Sequence, residues 1–182
     1  MDNRNVATLL LRYGILLVLP LFSFALFYML FTPLTVAPVY ALIKVLYPGA
    51  VLLGSSTIFF QGEYAQIIPA CIAGAAYYLL IILNLTTPMD AAQRAKSLLF
   101  LIAAFLVLNI FRILLFMYWF ASGFNYFDIA HQATWYFGST VMIVLVWFAN
   151  VLLFRIQAIP VYTDILEIVK DIRQTPTPSP HP

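Results

Sequence analysis

Three polar side chains of complementary chemistry lie in otherwise apolar stretches of this chain: Cys71, Arg112 and His131. A thiolate attacks carbonyl carbons, an imidazole takes and returns protons near neutral pH, and a guanidinium stabilises negative charge on oxygen. Together they could perform nucleophilic catalysis through a thioester. Each also has a structural explanation. Cys71 could fill space as a small apolar side chain, Arg112 could bind helix carbonyls or Asn109, and His131 could be an interfacial polar residue.

The composition places these residues in a membrane. The chain has 182 residues, of which 64% are hydrophobic and 9% charged, and its mean hydropathy is +0.97. Soluble domains carry about 25% charged residues, so the sequence predicts an all-α integral membrane protein. The net charge of +2 is too small to indicate a nucleic-acid partner. A single cysteine excludes an internal disulfide and paired-cysteine redox chemistry, and no metal or other cofactor is expected.

The apolar runs predict a small bundle of about four transmembrane helices, over residues 6–31, 69–85, 97–120 and 129–154. Pro69 fits the first position of the second helix, so Cys71 falls in its first turn. Thr87, followed by Asp90, is expected to be the N-cap of the third helix, and Asp128 the N-cap of the fourth.

Proline and glycine interrupt the segment between the first two predicted spans, residues 32–70. The preferred interpretation is a short interfacial helix over 39–47 and then a hairpin. The hairpin pairs extended segments at 56–61 and 66–68, joined by Gly62-Glu63, and packs over the mouth of the bundle. The alternative is a broken second span over 37–60, which would reverse the orientation of everything after it.

Basic residues set the expected orientation. They cluster at the N-terminus, in 88–96 and after the last span, whereas the opposite loops carry only Lys44. The positive-inside rule then predicts a multi-pass protein of the cell membrane with cytoplasmic termini. Cys71 and His131 begin their helices at the extracytoplasmic face, and Arg112 lies eight residues before Phe120, about 12 Å deeper at about 1.5 Å per residue. The three are therefore expected to converge.

The chain divides into a transmembrane catalytic domain over 1–155 and a cytoplasmic segment over 156–182. The latter is predicted as an amphipathic helix over 162–173 and a disordered proline-rich tail. Three residues are expected to support the site. Asn109 lies one turn before Arg112, Asp128 caps the last helix or orients His131, and Gly74 lets neighbouring helices approach closely.

The order Cys–Arg–His resembles the exosortase/archaeosortase family, in a compact form. The resemblance covers about residues 54–148. It rests on Pro-Ala-Cys-Ile-Ala-Gly at 69–74, Asn-Ile-Phe-Arg-Ile at 109–113 and a histidine opening the last span. It implies a membrane-embedded cysteine transpeptidase, with Cys71 as nucleophile, Arg112 as electrostatic stabiliser and His131 as acid and base. The chain departs from many relatives in having about four spans rather than six or more, and in having Ile72 where a small polar residue is common.

The same resemblance implies the partners. These would be secreted proteins with a C-terminal transmembrane sorting signal, and a lipid or cell-envelope amine that accepts the cleaved chain. The alternative from another class is a non-enzymatic membrane assembly factor or a small transporter. An intramembrane serine or aspartyl protease fits poorly, because the sequence has no Gly-x-Ser-x-Gly and places Asp90 and Asp128 at opposite faces.

Overall fold

The computed structural model describes residues 25–156 together with Gly14. Most of the predicted span over 6–31, the amphipathic helix over 162–173 and the proline-rich tail lie outside the described residues. The described helices are α1 (Ala25–Leu46), α2 (Pro69–Ile72), α3 (Gly74–Thr86), α4 (Ala91–Ala121), α5 (Phe127–Ala133) and α6 (Ser139–Phe154). A π-helical segment, Thr134–Gly138, joins α5 to α6, and the strands are β1 (Val51–Leu53), β2 (Thr57–Phe60) and β3 (Glu63–Gln66).

Four segments are long and apolar enough to cross a membrane: Phe27–Leu46, Pro69–Thr86, Ala91–Ala121 and Phe127–Phe154. These are the helices of a multi-pass membrane protein, as the composition predicts. Helices α1, α3 and α4 meet through stacked rings. Phe31 lies 3.8 Å from Tyr77, and Tyr77 meets Phe105 edge-on at 4.9 Å between centroids.

Helix α1 differs from the prediction. Residues 32–46 continue one 22-residue helix that contains Pro33 and Pro38, rather than breaking into short pieces. The predicted interfacial helix over 39–47 is therefore the end of α1, and the alternative of a broken span over 37–60 is also wrong. Proline is tolerated inside transmembrane helices because neighbouring groups and local adjustments satisfy the freed backbone.

A hairpin is present, but its second strand covers Glu63–Gln66 rather than the predicted 66–68, and it belongs to a three-stranded antiparallel sheet of order β1-β2-β3. Its turn is Gln61-Gly62, one residue before the predicted pair. Both turn residues have positive φ (54° and 85°), as a two-residue turn of type I′ requires. Ile58 and Phe60 are buried beneath the sheet. The sheet connects the end of α1 to the start of α2, which places it at the same end of the bundle as Cys71.

Two predicted caps are wrong. Thr87 ends α3, and its hydroxyl donates to the carbonyl of Leu83 at 2.5 Å, because α3 continues through Thr86. Asp90 is the N-cap of α4 and accepts from the Gln93 amide at 2.6 Å. Asp128 is not a cap either: α5 begins one residue earlier, with Tyr126 at its N-cap position.

The opposite end of the bundle is closed by polar contacts. Ser97 accepts from the Asn84 amide at 2.8 Å and donates to Asn150 at 2.9 Å, which joins α3, α4 and α6 in the buried interior. The Arg94 guanidinium donates to four carbonyls at the end of α3 and in the following turn. The two ends of the bundle are thus chemically different.

Candidate functional site

A cavity of about 600 Å³ lies at the sheet end of the bundle. Cys71 of α2, Arg112 of α4 and His131 of α5 all line it, as do β3 and the segment that follows it. The three side chains therefore line one cavity, at the end of the bundle where the sequence predicts them; that they act together stays a prediction. The volume lies within the range of about 300–1,000 Å³ typical of ligand sites.

Cys71 lies in a single helical turn that is separated from α3 by a break at Ala73. Pro69 occupies the start of α2, as predicted, and the Ala73 amide donates back to the Pro69 carbonyl at 3.2 Å. Ala73 then adopts a left-handed conformation (φ 59°, ψ 44°), and the helix restarts at Gly74. The carbonyl of Cys71 consequently accepts no backbone hydrogen bond from residues 25–156.

Side chains of α4 bind that carbonyl instead. The Asn109 amide donates to the Cys71 oxygen at 2.9 Å, and Arg112 Nη2 donates to the same oxygen at 3.2 Å. Asn109 is completely buried, and its own Oδ1 has no partner among the described residues. Asn109 therefore supports the cysteine turn directly.

Ser139 completes the environment of Arg112 and is not among the residues that the sequence predicts. Its Oγ accepts from Arg112 Nη1 at 2.8 Å, so the guanidinium links α2, α4 and α6. Its spacing from His131 in the sequence could have indicated it. Ser139 lies eight residues after His131, about 12 Å along a helix, which is the depth expected for Arg112 below the same face.

His131 lies between aromatic rings on the wall of the cavity. Its ring stacks on Phe127, 5.6 Å between centroids with planes 6° apart, and meets Phe116 edge-on at 5.2 Å. No hydrogen bond links it to Cys71 or to Asp128 within residues 25–156. Asp128 lines the cavity and is exposed. The helix carrying His131 passes through the π-helical segment, a feature often found at functional sites.

Gly74 lies where α3 packs against α1. A Cβ placed there would lie 3.2 Å from the ring of Tyr28 in α1, so the glycine allows close approach of α1 and α3. Among the described residues, no group of three or more His, Cys, Asp or Glu side chains could hold a metal ion.

Fold and cavity together define a multi-pass membrane protein with a thiol, a guanidinium and an imidazole lining one cavity. Comparisons of the sequence with protein-family models, curated proteins and solved structures give no match. The resemblance to exosortases and archaeosortases therefore stays a prediction, carried by the residues themselves.

Proposed function

We propose that this protein is a membrane-embedded cysteine peptidase or transpeptidase that cleaves C-terminal sorting signals of secreted proteins. The observation that carries the proposal is the shared cavity: three side chains of complementary chemistry, far apart in sequence, line it from three helices. The transmembrane tail of the substrate lies against the bundle and presents the preceding peptide bond to Cys71.

In the proposed reaction His131 takes the proton of the Cys71 thiol, and Sγ attacks the substrate carbonyl carbon. The tetrahedral intermediate collapses, His131 returns the proton to the leaving amine, and a thioester remains. An acceptor amine at the membrane surface attacks the thioester, forming an amide and restoring the thiol; water in its place gives a free carboxylate. Catalytic hydrogen bonds are often long or poorly aligned before substrate binds, so the lack of a hydrogen bond between Cys71 and His131 in the described residues is compatible with this step.

Arg112 has further N–H groups that can donate to the developing oxyanion. A guanidinium carries five N–H groups, and two of them serve the Cys71 carbonyl and Ser139. The group also lines the cavity, so its charge lies beside the reacting atoms as well as within the bundle. We assign it a double role, holding the cysteine turn and stabilising negative charge on oxygen.

The cavity is proposed to open on the extracytoplasmic face. At the opposite end of the described bundle lie Arg94, Lys96 and Arg155, whereas the sheet end carries Lys44. Charged residues of this sign favour the cytoplasmic side. Secreted substrates and envelope acceptors would then meet the thiol on the side where both are found.

A non-enzymatic role as an assembly factor or small transporter is the second candidate. The observation that favours it is that both hydrogen bonds of Arg112 end on groups of the bundle itself. In that case Arg112 only ties helices together and Cys71 contributes its carbonyl but not its thiol. The two candidates differ in whether Sγ is required.

Co-expression with a reporter tests the proposal. The reporter is a secreted domain followed by the sorting motif, apolar span and basic tail of a secreted protein encoded beside this chain. Cys71→Ala and Cys71→Ser are expected to abolish processing while the variants elute as folded protein. Thr140→Ala, an exposed change on α6, is the matched control. Mass spectrometry of the new C-terminus separates amide transfer from hydrolysis, and full processing by Cys71→Ala would refute the enzyme.

A further inference from the structure

Strand β3 has one unused edge, and the sheet register shows which groups form it. Phe60 pairs with Glu63 across the two-residue turn, and Ile67 donates to Ser56 at 2.8 Å. Hydrogen-bonded and non-hydrogen-bonded pairs alternate in an antiparallel ladder. The backbone groups of Tyr64 and Gln66 therefore point away from β2.

These groups have no partner in the described part of the chain. Strand β3 lies at the end of the order β1-β2-β3, and neither Tyr64 nor Gln66 makes an outward backbone hydrogen bond to residues 25–156. Both side chains are exposed, Tyr64 at 65%. Proteins protect such edges with proline, charged side chains, short strands or a covering element. The four-residue strand β3 has neither proline nor lysine, and its one charged residue, Glu63, lies beside the turn.

The open edge belongs to the wall of the cavity that contains Cys71. Residues 64–68 line that cavity without interruption, and Cys71 follows Ile68 by three residues. Five extended residues span about 16 Å at about 3.3 Å each. Apolar rings of Phe116, Phe120 and Trp135 line the cavity as well.

We propose that the edge of β3 binds an extended peptide segment of the substrate protein as a fourth strand. The inference rests on the proposed function and specifies how its substrate is held. Backbone hydrogen bonds to Tyr64 and Gln66 fix the peptide without regard to its sequence, and the aromatic rings select an apolar side chain. The strand then delivers a peptide carbonyl towards Cys71.

The test measures how fast Cys71 reacts with peptide electrophiles in the full-length protein in nanodiscs. The probes are pentapeptides with mixed apolar residues and a C-terminal acyloxymethyl ketone. Cys71 Sγ displaces the carboxylate of such a probe and forms a thioether, which mass spectrometry locates. Peptide probes are expected to react faster than an acyloxymethyl ketone without a peptide.

Gln66→Pro removes the outward N–H and leaves the bonds between β2 and β3 in place. It is expected to slow the peptide probes about fivefold, the effect of losing one hydrogen bond. The rate with N-ethylmaleimide should not change. Gln66→Ala, which keeps the N–H, separates the loss of the side chain from the loss of the N–H, so the fivefold difference is expected between Gln66→Pro and Gln66→Ala.

A second series changes the probe and leaves the protein intact, so it decides the question even if Gln66→Pro does not fold. N-methylation of successive probe amides should slow labelling at every second position. Equal labelling rates for N-methylation at all positions, with peptide labelling still fast, would refute the fourth strand but not the proposed peptidase function. If no peptide probe reacts faster than the non-peptide ketone, the proposed function fails and the fourth strand with it.

Discussion

Replacing Ser139 by alanine tests whether Arg112 is anchored as the structure shows. The change removes the hydroxyl that accepts from Arg112 Nη1 at 2.8 Å and alters little else. One charged donor is left without that acceptor in the half-buried interior. We expect the free energy of unfolding to fall.

Two scales set the size of the loss. A hydrogen bond to a charged group contributes about 1.5–3 kcal/mol in proteins. Side-chain hydrogen bonds between transmembrane helices average about 0.6 kcal/mol and reach about 1.7 kcal/mol. Because Arg112 is charged and the bond is short, the expected loss is about 1.5 kcal/mol, where the two ranges meet.

The assay is unfolding in mixed micelles of SDS and a mild detergent, followed by helical circular dichroism. Thr140→Ala, the exposed neighbour, should change the free energy of unfolding by less than about 0.5 kcal/mol. Ser139→Thr keeps a hydroxyl and should recover part of the loss. A double-mutant cycle with Arg112→Met should give a coupling near the full effect. Additive losses would refute the anchoring.

Three further predictions concern polar side chains that join the helices, and use the same unfolding assay or hydrogen exchange. Asn109→Leu should leave the free energy of unfolding within about 1 kcal/mol of the wild type, because removal of the unpartnered Oδ1 offsets the lost hydrogen bond. Asn109→Ala should lower it by about 2 kcal/mol more, because the smaller side chain leaves a cavity. Ser97→Ala should destabilise by about 1–3 kcal/mol, because Asn150 Oδ1 loses its donor and Asn84 Nδ2 keeps only the longer bond to the Arg94 carbonyl, at 3.4 Å. Arg94→Gln should speed amide exchange at residues 84–90 and not in α1, since it releases the carbonyls at the end of α3.

Each prediction has an outcome that contradicts its premise. A large loss for Asn109→Leu would mean that the Cys71 carbonyl depends on the amide alone. An unchanged Ser97→Ala protein would mean that the buried polar cluster contributes no stability. Uniformly faster exchange in Arg94→Gln would mean that the guanidinium supports the whole bundle and not the end of α3.

The sequence predicts those features that depend on local chemistry and on depth. Pro69 marks a helix start through its missing N–H, and the hairpin follows from glycine between short extended segments. The placement of Cys71, Arg112 and His131 around one cavity follows from the positions of span ends and the rise per residue. These inferences need no knowledge of which helices pack together.

The features that were missed depend on packing. Two prolines suggest a break in α1 that the bundle does not require. The break before α3 falls at Ala73, although Gly74 is the residue that tolerates positive φ. Gly74 instead occupies the position where a Cβ would press on Tyr28, so close approach of α1 outweighs backbone preference. Ser139 has no local signal, only a shared depth with Arg112.

The break at Ala73 explains why a guanidinium can lie at this depth. A left-handed alanine costs about 1–2 kcal/mol, but it frees the Cys71 carbonyl from the helix and turns it towards α4. The charge-assisted hydrogen bond from Arg112 contributes about 1.5–3 kcal/mol of stability, and Asn109 donates a second hydrogen bond to the same oxygen. A continuous helix would pair that carbonyl internally and leave the buried charge with fewer acceptors. The same break that accommodates Arg112 also ends the turn that carries the thiol, so the positions of charge and nucleophile are set together.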